Sequence, residues 1–131
     1  WALVVGVGTA LTVDLLDAAG RHHGGAIAPS PTLMREALHA RVPQLPAEGG
    51  AAASFATDTA DALAGGCLGA AAGLVERGCR EAVARGGQSP LVLVHGGGAP
   101  DLLAQLDGAV HAPSLVMEGL ARLARQPSRA G

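Results

Sequence analysis

The chain opens with a glycine pair and a threonine between two apolar runs, in the stretch Gly6-Val7-Gly8-Thr9-Ala10-Leu11-Thr12-Val13-Asp14. The flanking runs Ala2–Val7 and Ala10–Leu16 read as strands, so the pattern predicts a β-hairpin with a glycine-containing tip. Such a tip offers backbone N–H groups and one hydroxyl, and it can approach a phosphate closely because glycine has no Cβ atom. The stretch therefore suggests nucleotide chemistry, with an ordinary glycine-containing hairpin as the alternative.

The composition fits one domain with a buried core. Of the 131 residues, 49% are hydrophobic and 15% are charged, which argues against disorder. The net charge is -2 and the nine arginines form no basic run, so we expect no nucleic-acid partner. No apolar run approaches the ~20 residues of a membrane span, and no signal-peptide pattern is visible. We therefore expect a cytoplasmic protein with no membrane partner.

The two cysteines and the first residue add context. Cys67 and Cys79 lie on one predicted helix, too far apart to bridge, so we expect buried reduced thiols and a reducing compartment. The chain begins at Trp1 and enters a strand almost at once. We therefore expect it to be part of a longer protein.

Beyond the hairpin, the pattern alternates helices and strands. We predict a third strand at His22–Ala28, a helix from Pro31 to about Arg41 capped by Ser30, a loop over residues 42–55, a long helix from a cap at Thr57 or Asp58 to about Arg85, a strand at Pro90–His95, a short helix at Pro100–Leu106, a short strand at Ala109–Ala112, an amphipathic helix at Ser114–Arg125 and a frayed tail from Gln126. A three-stranded antiparallel meander followed by such alternation predicts an α/β layered domain. The many glycines of the long helix predict close backbone packing or helix breaks.

Other candidate sites are weaker. A dinucleotide-binding turn is disfavoured, because Leu11 stands where a third small residue belongs and an extended segment follows. Gly96-Gly97-Gly98 ends a core strand before a helix, where ligands of α/β sheets collect, although a tight turn explains it equally well. His22 and His23 point to opposite faces of a strand and cannot chelate a metal together. His95 adjoins the glycines and has a better chance of touching a ligand.

Taken in order, four stretches resemble the C-terminal portion of type III pantothenate kinase, a bacterial family of the acetate-and-sugar-kinase/Hsp70/actin superfamily. They are the opening hairpin, Gly24-Gly25-Ala26-Ile27-Ala28-Pro29 with Leu33-Met34, the helix start Thr59-Ala60-Asp61-Ala62-Leu63-Ala64-Gly65, and Val92-Leu93-Val94-His95-Gly96-Gly97 with the closing Val116-Met117-Glu118-Gly119-Leu120. The resemblance implies a ribonuclease-H-like (actin-like ATPase) fold. It also implies that residues 1–131 are the C-terminal domain of a two-domain kinase whose N-terminal domain is absent from this chain.

The same resemblance implies ATP-dependent phosphorylation of pantothenate to 4'-phosphopantothenate, the first step of coenzyme A biosynthesis. It assigns Gly8, Thr9, Gly96 and Gly97 to ATP, and Thr59 to pantothenate. ATP and Mg²⁺ are the implied cofactors, and a homodimer with helix 58–85 as a packing surface is the implied assembly. A non-catalytic nucleotide-binding or regulatory relative, similar to Bvg accessory factors, is the alternative. A different kinase of the superfamily is disfavoured by the helix start at Thr59.

This chain departs from the family pattern at several positions. Gly6 stands where the family usually has an aspartate that helps bind a monovalent cation, K⁺ or NH₄⁺, so no metal ligand is assigned. Gly98 replaces a common aspartate, and Ser30 replaces a glycine. The family's first phosphate loop and its Gly-x-Asp-Arg motif are not found in these residues, so no catalytic base is assigned. We therefore predict that this chain alone is not a competent kinase.

Overall fold

Nine helices and strands follow one another along residues 1–126, the part of the chain that the computed structural model describes. They are β1 (Ala2–Val7), β2 (Ala10–Leu16), β3 (His22–Pro29), α1 (Pro31–Arg41), α2 (Thr59–Gly86), β4 (Leu91–His95), α3 (Ala99–Leu103), β5 (Val110–His111) and α4 (Leu115–Ala124). The predicted order of elements is confirmed. The short helix ends at Leu103, three residues before its predicted end, and the tail beyond Gln126 lies outside the described residues.

The strands form one sheet in the order β3-β2-β1-β4-β5. Strand β2 runs antiparallel to β1 and β3, whereas β4 runs parallel to β1 and β5 runs parallel to β4. A tight turn suffices for each antiparallel pair, while each parallel pair needs a crossover, which the helices supply. This order and these directions are those of the ribonuclease-H-like fold, so the predicted fold class is confirmed.

The core lies on one face of the sheet, under α2 and α3. Alternate residues of β1 and β2 point to this face, since successive side chains of a strand point to opposite sides. The largest fully buried side chains are Leu3, Val5, Val7, Leu11, Val75, Val94 and Leu102. Aliphatic packing therefore builds the core, as the near absence of aromatic residues predicts.

The opposite face of the central strands is only half-buried. Val4, Thr12 and Leu93 lie on it at neighbouring positions of the register. Within residues 1–126, α4 buries no side chain. Its apolar residues are exposed instead: Val116 54%, Met117 69%, Leu120 54% and Leu123 63%. One face of the sheet and one face of α4 thus present apolar surface outside the core.

Helix α2 runs unbroken for 28 residues despite its glycines. Asp58 is its N-cap and accepts a hydrogen bond from the backbone N–H of Asp61 at 3.0 Å. A Cβ atom at Gly65 would meet the backbone carbonyl of Ala53, and one at Gly78 would lie 3.1 Å from Leu3. Close packing, rather than helix breaks, therefore explains these two glycines.

Candidate active site

Three segments meet at one end of the sheet. They are the tip of the β1–β2 hairpin, the start of α1 and the loop between β4 and α3. A cavity of about 330 Å³ is lined by all three segments, including Gly8, Thr9, Ser30, Thr32, Gly97 and Gly98. A second cavity of about 290 Å³ shares Gly8, Ser30, Thr32 and Gly98 with it. The structure thus brings the two predicted ATP motifs to one cleft.

The hairpin tip is held by backbone hydrogen bonds. The N–H of Gly8 donates to the carbonyl of Ala10 at 3.0 Å, and the carbonyl of Thr9 accepts from the N–H of Ser30 at 3.3 Å. Gly8 and Thr9 are both exposed. The tip is therefore fixed against the start of α1 while its outer surface stays accessible.

The start of α1 forms the second wall. Ser30 is 3% exposed, and its hydroxyl accepts a hydrogen bond from the N–H of Leu33 at 3.2 Å. Pro31 follows at the first helical position, where its missing N–H costs nothing. Because Ser30 accepts from the N–H groups of Leu33 and Met34, Thr32 alone keeps an N–H without a described partner in this turn, beside the partial positive charge of the helix start, which favours an anion.

The glycine loop forms the third wall. Gly96 has φ 99°, and a Cβ atom there would meet the carbonyl of Val7. Glycine is therefore required at this position, both for its backbone angle and for its space. The N–H of Gly98 donates to the Val7 carbonyl at 3.1 Å, which ties the loop to the end of β1. Gly97 lines the cavity, whereas Gly96 supports the loop from behind.

Two backbone donors at the cleft are open to a ligand. Among residues 1–126, neither the N–H of Thr9 nor that of Gly97 donates to a backbone carbonyl. Both residues are exposed, and both line the same cavity. The N–H and the hydroxyl of Thr9 are donors of the kind that bind phosphate oxygens, whereas the N–H of Gly97 is open to another part of a ligand.

Charged side chains also line the cleft, and sequence reasoning missed them. Arg35 and Asp101 line the smaller cavity, and Glu36 lines the larger one. Arg35 donates from Nη2 to the carbonyl of Gly49 at 2.7 Å, while its buried Nε finds no acceptor among the described atoms. The local pattern gave no signal for Arg35, because its role depends on the 42–58 loop folding back over α1.

Thr59 lies apart from these walls. It is the first residue of α2 and is exposed, and it lines neither of the two cavities. The nearby turn packs on the same helix end, since a Cβ atom at Gly50 would meet the carbonyl of Ala60. Gly50 in turn lines the smaller cavity. Thr59 therefore sits beyond that cavity rather than inside it.

Position 6 offers no side-chain ligand for a monovalent cation. Gly6 offers no carboxylate, and a Cβ atom built there would lie 2.8 Å from the Thr12 hydroxyl oxygen and 3.2 Å from the His95 ring. Hard cations bind to several oxygen ligands. Within residues 1–126, no group of three or more His, Cys, Asp or Glu side chains is arranged to hold a metal ion.

The two histidines at the start of β3 each contact a carboxylate at the edge of the sheet. His22 Nε2 lies 2.7 Å from Asp14 Oδ1, and His23 Nε2 lies 2.8 Å from Asp17 Oδ2. The two rings thus engage different carboxylates, which agrees with the prediction that they do not chelate together. The hydrogen bond from His23 and the backbone N–H of Arg21 hold the pKa of Asp17 well below its usual range.

Both cysteines are free thiols in the described part of the chain. Cys67 is buried and Cys79 is half-buried. Burial raises the pKa of each thiol, which disfavours the reactive thiolate. The prediction of burial is confirmed for Cys67, whereas Cys79 is only half-buried. Over the same residues, no helix combines the length and the apolar character that crossing a membrane requires.

Comparison with known proteins identifies the family. A model of type III pantothenate kinase matches residues 1–81, more than half of the chain. The chain belongs to this family. The matched range contains the hairpin, the strand and helix after it, and most of α2.

Curated relatives agree with this assignment. The type III pantothenate kinase of Stenotrophomonas maltophilia strain R551-3 is 65% identical over 127 residues, which cover 96% of this chain and 52% of that protein. The enzyme of Xanthomonas campestris pv. campestris strain B100 is 60% identical over 119 residues, covering 91% and 49% respectively. The chain spans about half the length of the curated relatives it matches.

A solved structure supports the fold independently. A Campylobacter jejuni protein described as a Baf family transcriptional activator superposes with a TM-score of 0.76 at 22% identity, over 95% of this chain and 57% of that one. At this identity the likeness establishes the fold and nothing about activity.

Proposed function

We propose that the full-length protein transfers the γ-phosphoryl group of ATP to the hydroxyl of pantothenate, and that this chain is its C-terminal domain. The observation that carries the proposal is that Gly8, Thr9 and Gly97, from two separate ATP motifs, line one cavity. Relatives at 60–65% identity are type III pantothenate kinases, which supports pantothenate as the substrate.

The cleft residues act by positioning. Phosphoryl transfer depends on alignment and on stabilising charge at the phosphate oxygens, with little covalent chemistry left to the protein. The Thr9 hydroxyl and N–H donate to a phosphate oxygen, and the start of α1 adds its partial positive charge. Mg²⁺ bound with the nucleotide supplies further neutralisation of the phosphates. Gly97 presents bare backbone, against which a flat base or ribose packs.

The remaining parts of the reaction come from the half of the family sequence that this chain does not span. A first phosphate loop and the proposed general base belong to motifs that are not found in residues 1–131. This supports the proposal that the isolated chain is inactive and that catalysis needs the two domains together.

Thr59 serves the second substrate in this proposal. It lies at the start of α2, next to the Gly49–Gly50 turn, and Gly50 of that turn lines the smaller cavity. A hydroxyl there can orient a polar molecule whose own hydroxyl points toward the phosphate cavity. Separate positions for Thr9 and Thr59 suit a reaction that joins two substrates.

We also propose a cytoplasmic homodimer. Coenzyme A synthesis starts from small molecules inside the cell, and the free thiols suit a reducing compartment. The exposed apolar side of α4 and the half-buried sheet face are surfaces that an assembly or the second domain would cover. The sedimentation of the full-length protein measures its oligomeric state directly.

The alternative is a regulatory relative that binds nucleotide without turnover. Gly6 favours it, because an acid of the family pattern is missing there. Incubating the full-length protein with ATP, Mg²⁺ and pantothenate, and following ADP and phosphopantothenate, separates the two functions. Product formation supports the kinase, whereas ATP binding without product supports the regulatory relative.

Thr59→Ala extends this experiment. We expect the KM for pantothenate to rise about tenfold, because one hydrogen bond to substrate is lost, while the dissociation constant for ATP stays within about twofold of wild type. Thr57→Ala is the matched control, since Thr57 is an exposed threonine two residues earlier in the loop. An unchanged KM in Thr59→Ala would remove Thr59 from the substrate site.

A further inference from the structure

We propose that His95 fills the space of a monovalent cation site, so that this protein binds its nucleotide without K⁺ or NH₄⁺. The inference rests on the proposed function for its biological meaning. Its evidence is the packing around Gly6, at the base of the phosphate hairpin.

Three neighbouring strands bring the relevant residues together. In the register, Gly6 of β1 pairs with Thr12 of β2 on one side and with His95 of β4 on the other. Paired residues of adjacent strands share a face of the sheet, so Gly6, Thr12 and His95 face the same side. This is the half-buried face, opposite the aliphatic core.

The His95 ring occupies the room that a side chain at position 6 would need. A Cβ atom at Gly6 would lie 3.2 Å from both Cε1 and Nε2 of His95, and 2.8 Å from the Thr12 hydroxyl oxygen. Gly6 is not among the described residues with positive φ, so its backbone does not demand glycine. The reason for glycine at this position is therefore space, which the Thr12 hydroxyl restricts most and the His95 ring restricts next.

The surroundings also lack the ligands of a cation. A hard cation prefers oxygen atoms, and the histidine ring supplies none. The Thr12 hydroxyl is one oxygen at this position. The next carboxylate of β2 on the same face, Asp14, lies 2.7 Å from His22 Nε2 and is held at the sheet edge. The three atoms nearest to a Cβ atom at position 6 are thus one hydroxyl oxygen and two ring atoms, and none of them is a carboxylate oxygen.

His95 brings suitable chemistry of its own. An imidazole ring offers an N–H donor beside the base of the phosphate hairpin. The residue directly precedes the Gly96–Gly98 loop and packs beside the base of the hairpin. Gly6 and His95 form a matched pair, and we expect changes at one position to require changes at the other.

Direct cation binding tests this inference without relying on turnover. Thallium(I) replaces K⁺ and reports binding through its nuclear resonance, so the full-length protein is titrated with Tl⁺ in the presence and absence of ATP. We expect no saturable shift. In parallel, the dissociation constant for ATP in KCl, NH₄Cl and tetramethylammonium chloride at equal ionic strength should agree within about twofold. Saturable Tl⁺ binding, or tightening by K⁺ of roughly tenfold or more, would overturn the inference.

A pair of variants sharpens the test. Gly6→Asp with His95→Gly restores a carboxylate and clears the ring, and we expect K⁺ to tighten its ATP binding about tenfold. Gly6→Asp alone keeps the ring and should gain no such response. Should either variant fail to fold by circular dichroism, the wild-type titrations still decide. Turnover that requires K⁺ would support the proposed kinase and refute this inference. Cation-independent ATP binding without turnover would support this inference and refute the proposed kinase.

Discussion

Asp17 lies at the turn between β2 and β3, where one carboxylate organises the chain. Its Oδ1 accepts from the N–H groups of Ala19 at 2.9 Å and Arg21 at 3.0 Å. Its Oδ2 lies 3.0 Å from Arg21 Nε and 2.8 Å from His23 Nε2. All of these partners favour the ionised form, so the pKa of Asp17 is held well below its ordinary value of 3.8.

Asp17→Asn should therefore lower the melting temperature of the full-length protein at neutral pH. A carboxylate whose pKa is depressed by folding contributes stability above its ordinary pKa, and this contribution is lost as the pH falls toward the folded-state pKa. The difference in melting temperature between wild type and variant should accordingly narrow steadily below about pH 4. Thermal melts by circular dichroism across the acid range measure it.

Asp107→Asn is the matched control for this experiment, because Asp107 is exposed and, among the described residues, its side chain makes no ion pair. A difference in melting temperature between wild type and Asp17→Asn that stays constant with pH would show that the charge of the carboxylate does not contribute to stability. The sequence places Asp17 and Gly20, residue types that favour turns, between the predicted strands Ala10–Leu16 and His22–Ala28. It gave no sign that His23, from the next strand, would complete the cluster.

At the level of the element, α2 shows why a glycine-rich sequence still forms a long helix. Glycine costs roughly 1 kcal/mol per residue relative to alanine in a helix. A Cβ atom at Gly65 would overlap the backbone of Ala53, whereas no described atom lies within 4 Å of a Cβ built at Gly69. The two glycines therefore have different reasons to be present.

Substitution by alanine should separate them. Gly65→Ala should lower the free energy of unfolding by about 1–3 kcal/mol, because its methyl group collides with the loop backbone. Gly69→Ala should raise it by up to about 1 kcal/mol, since helix propensity improves with no clash. Urea unfolding of the full-length protein, followed by helical circular dichroism, measures both. Equal effects of the two substitutions would contradict this account of the packing.

The elements themselves were largely predictable because their signals are local. Ser30 with Pro31 predicts the start of α1, and Asp58 is one of the two residues predicted to cap α2. These starts are predictable because a capping residue directly precedes the helix that it caps. The short helix α3 ends early because the chain tightens after Leu103, where the N–H groups of Gln105 and Leu106 donate to carbonyls three residues earlier, at 2.9 and 3.2 Å. The juxtaposition of Arg35 with Gly49 was not predictable, since it depends on how a 17-residue connection, residues 42–58, folds back.

At the level of the whole molecule, the sheet order gathers the site. Strands β1 and β4 are adjacent in the sheet, although 83 residues lie between the end of β1 and the start of β4. This adjacency places the glycine loop beside the hairpin tip. The sequence identified both motifs from their resemblance to the family, but the cavity between them and the contact of His95 with Gly6 emerge only from the folded sheet.

The same view explains the exposed apolar surfaces. Half of the relatives' length lies outside this chain, and the second face of the sheet and one side of α4 are uncovered in residues 1–126. We infer that these surfaces belong to contacts of the full-length protein. The proposed ATP cleft, in contrast, has three of its walls within this chain, so their contribution to binding can be tested by a single substitution.

Isothermal titration of ATP into the full-length protein and its Thr9→Ala and Thr9→Ser variants tests the phosphate assignment most directly. We expect Thr9→Ala to weaken ATP binding by about 1.5–3 kcal/mol, tenfold or more, since a hydrogen bond to a charged oxygen is lost. Thr9→Ser keeps the hydroxyl and should bind ATP almost as wild type does. ATP affinity that is unchanged in Thr9→Ala would contradict the account.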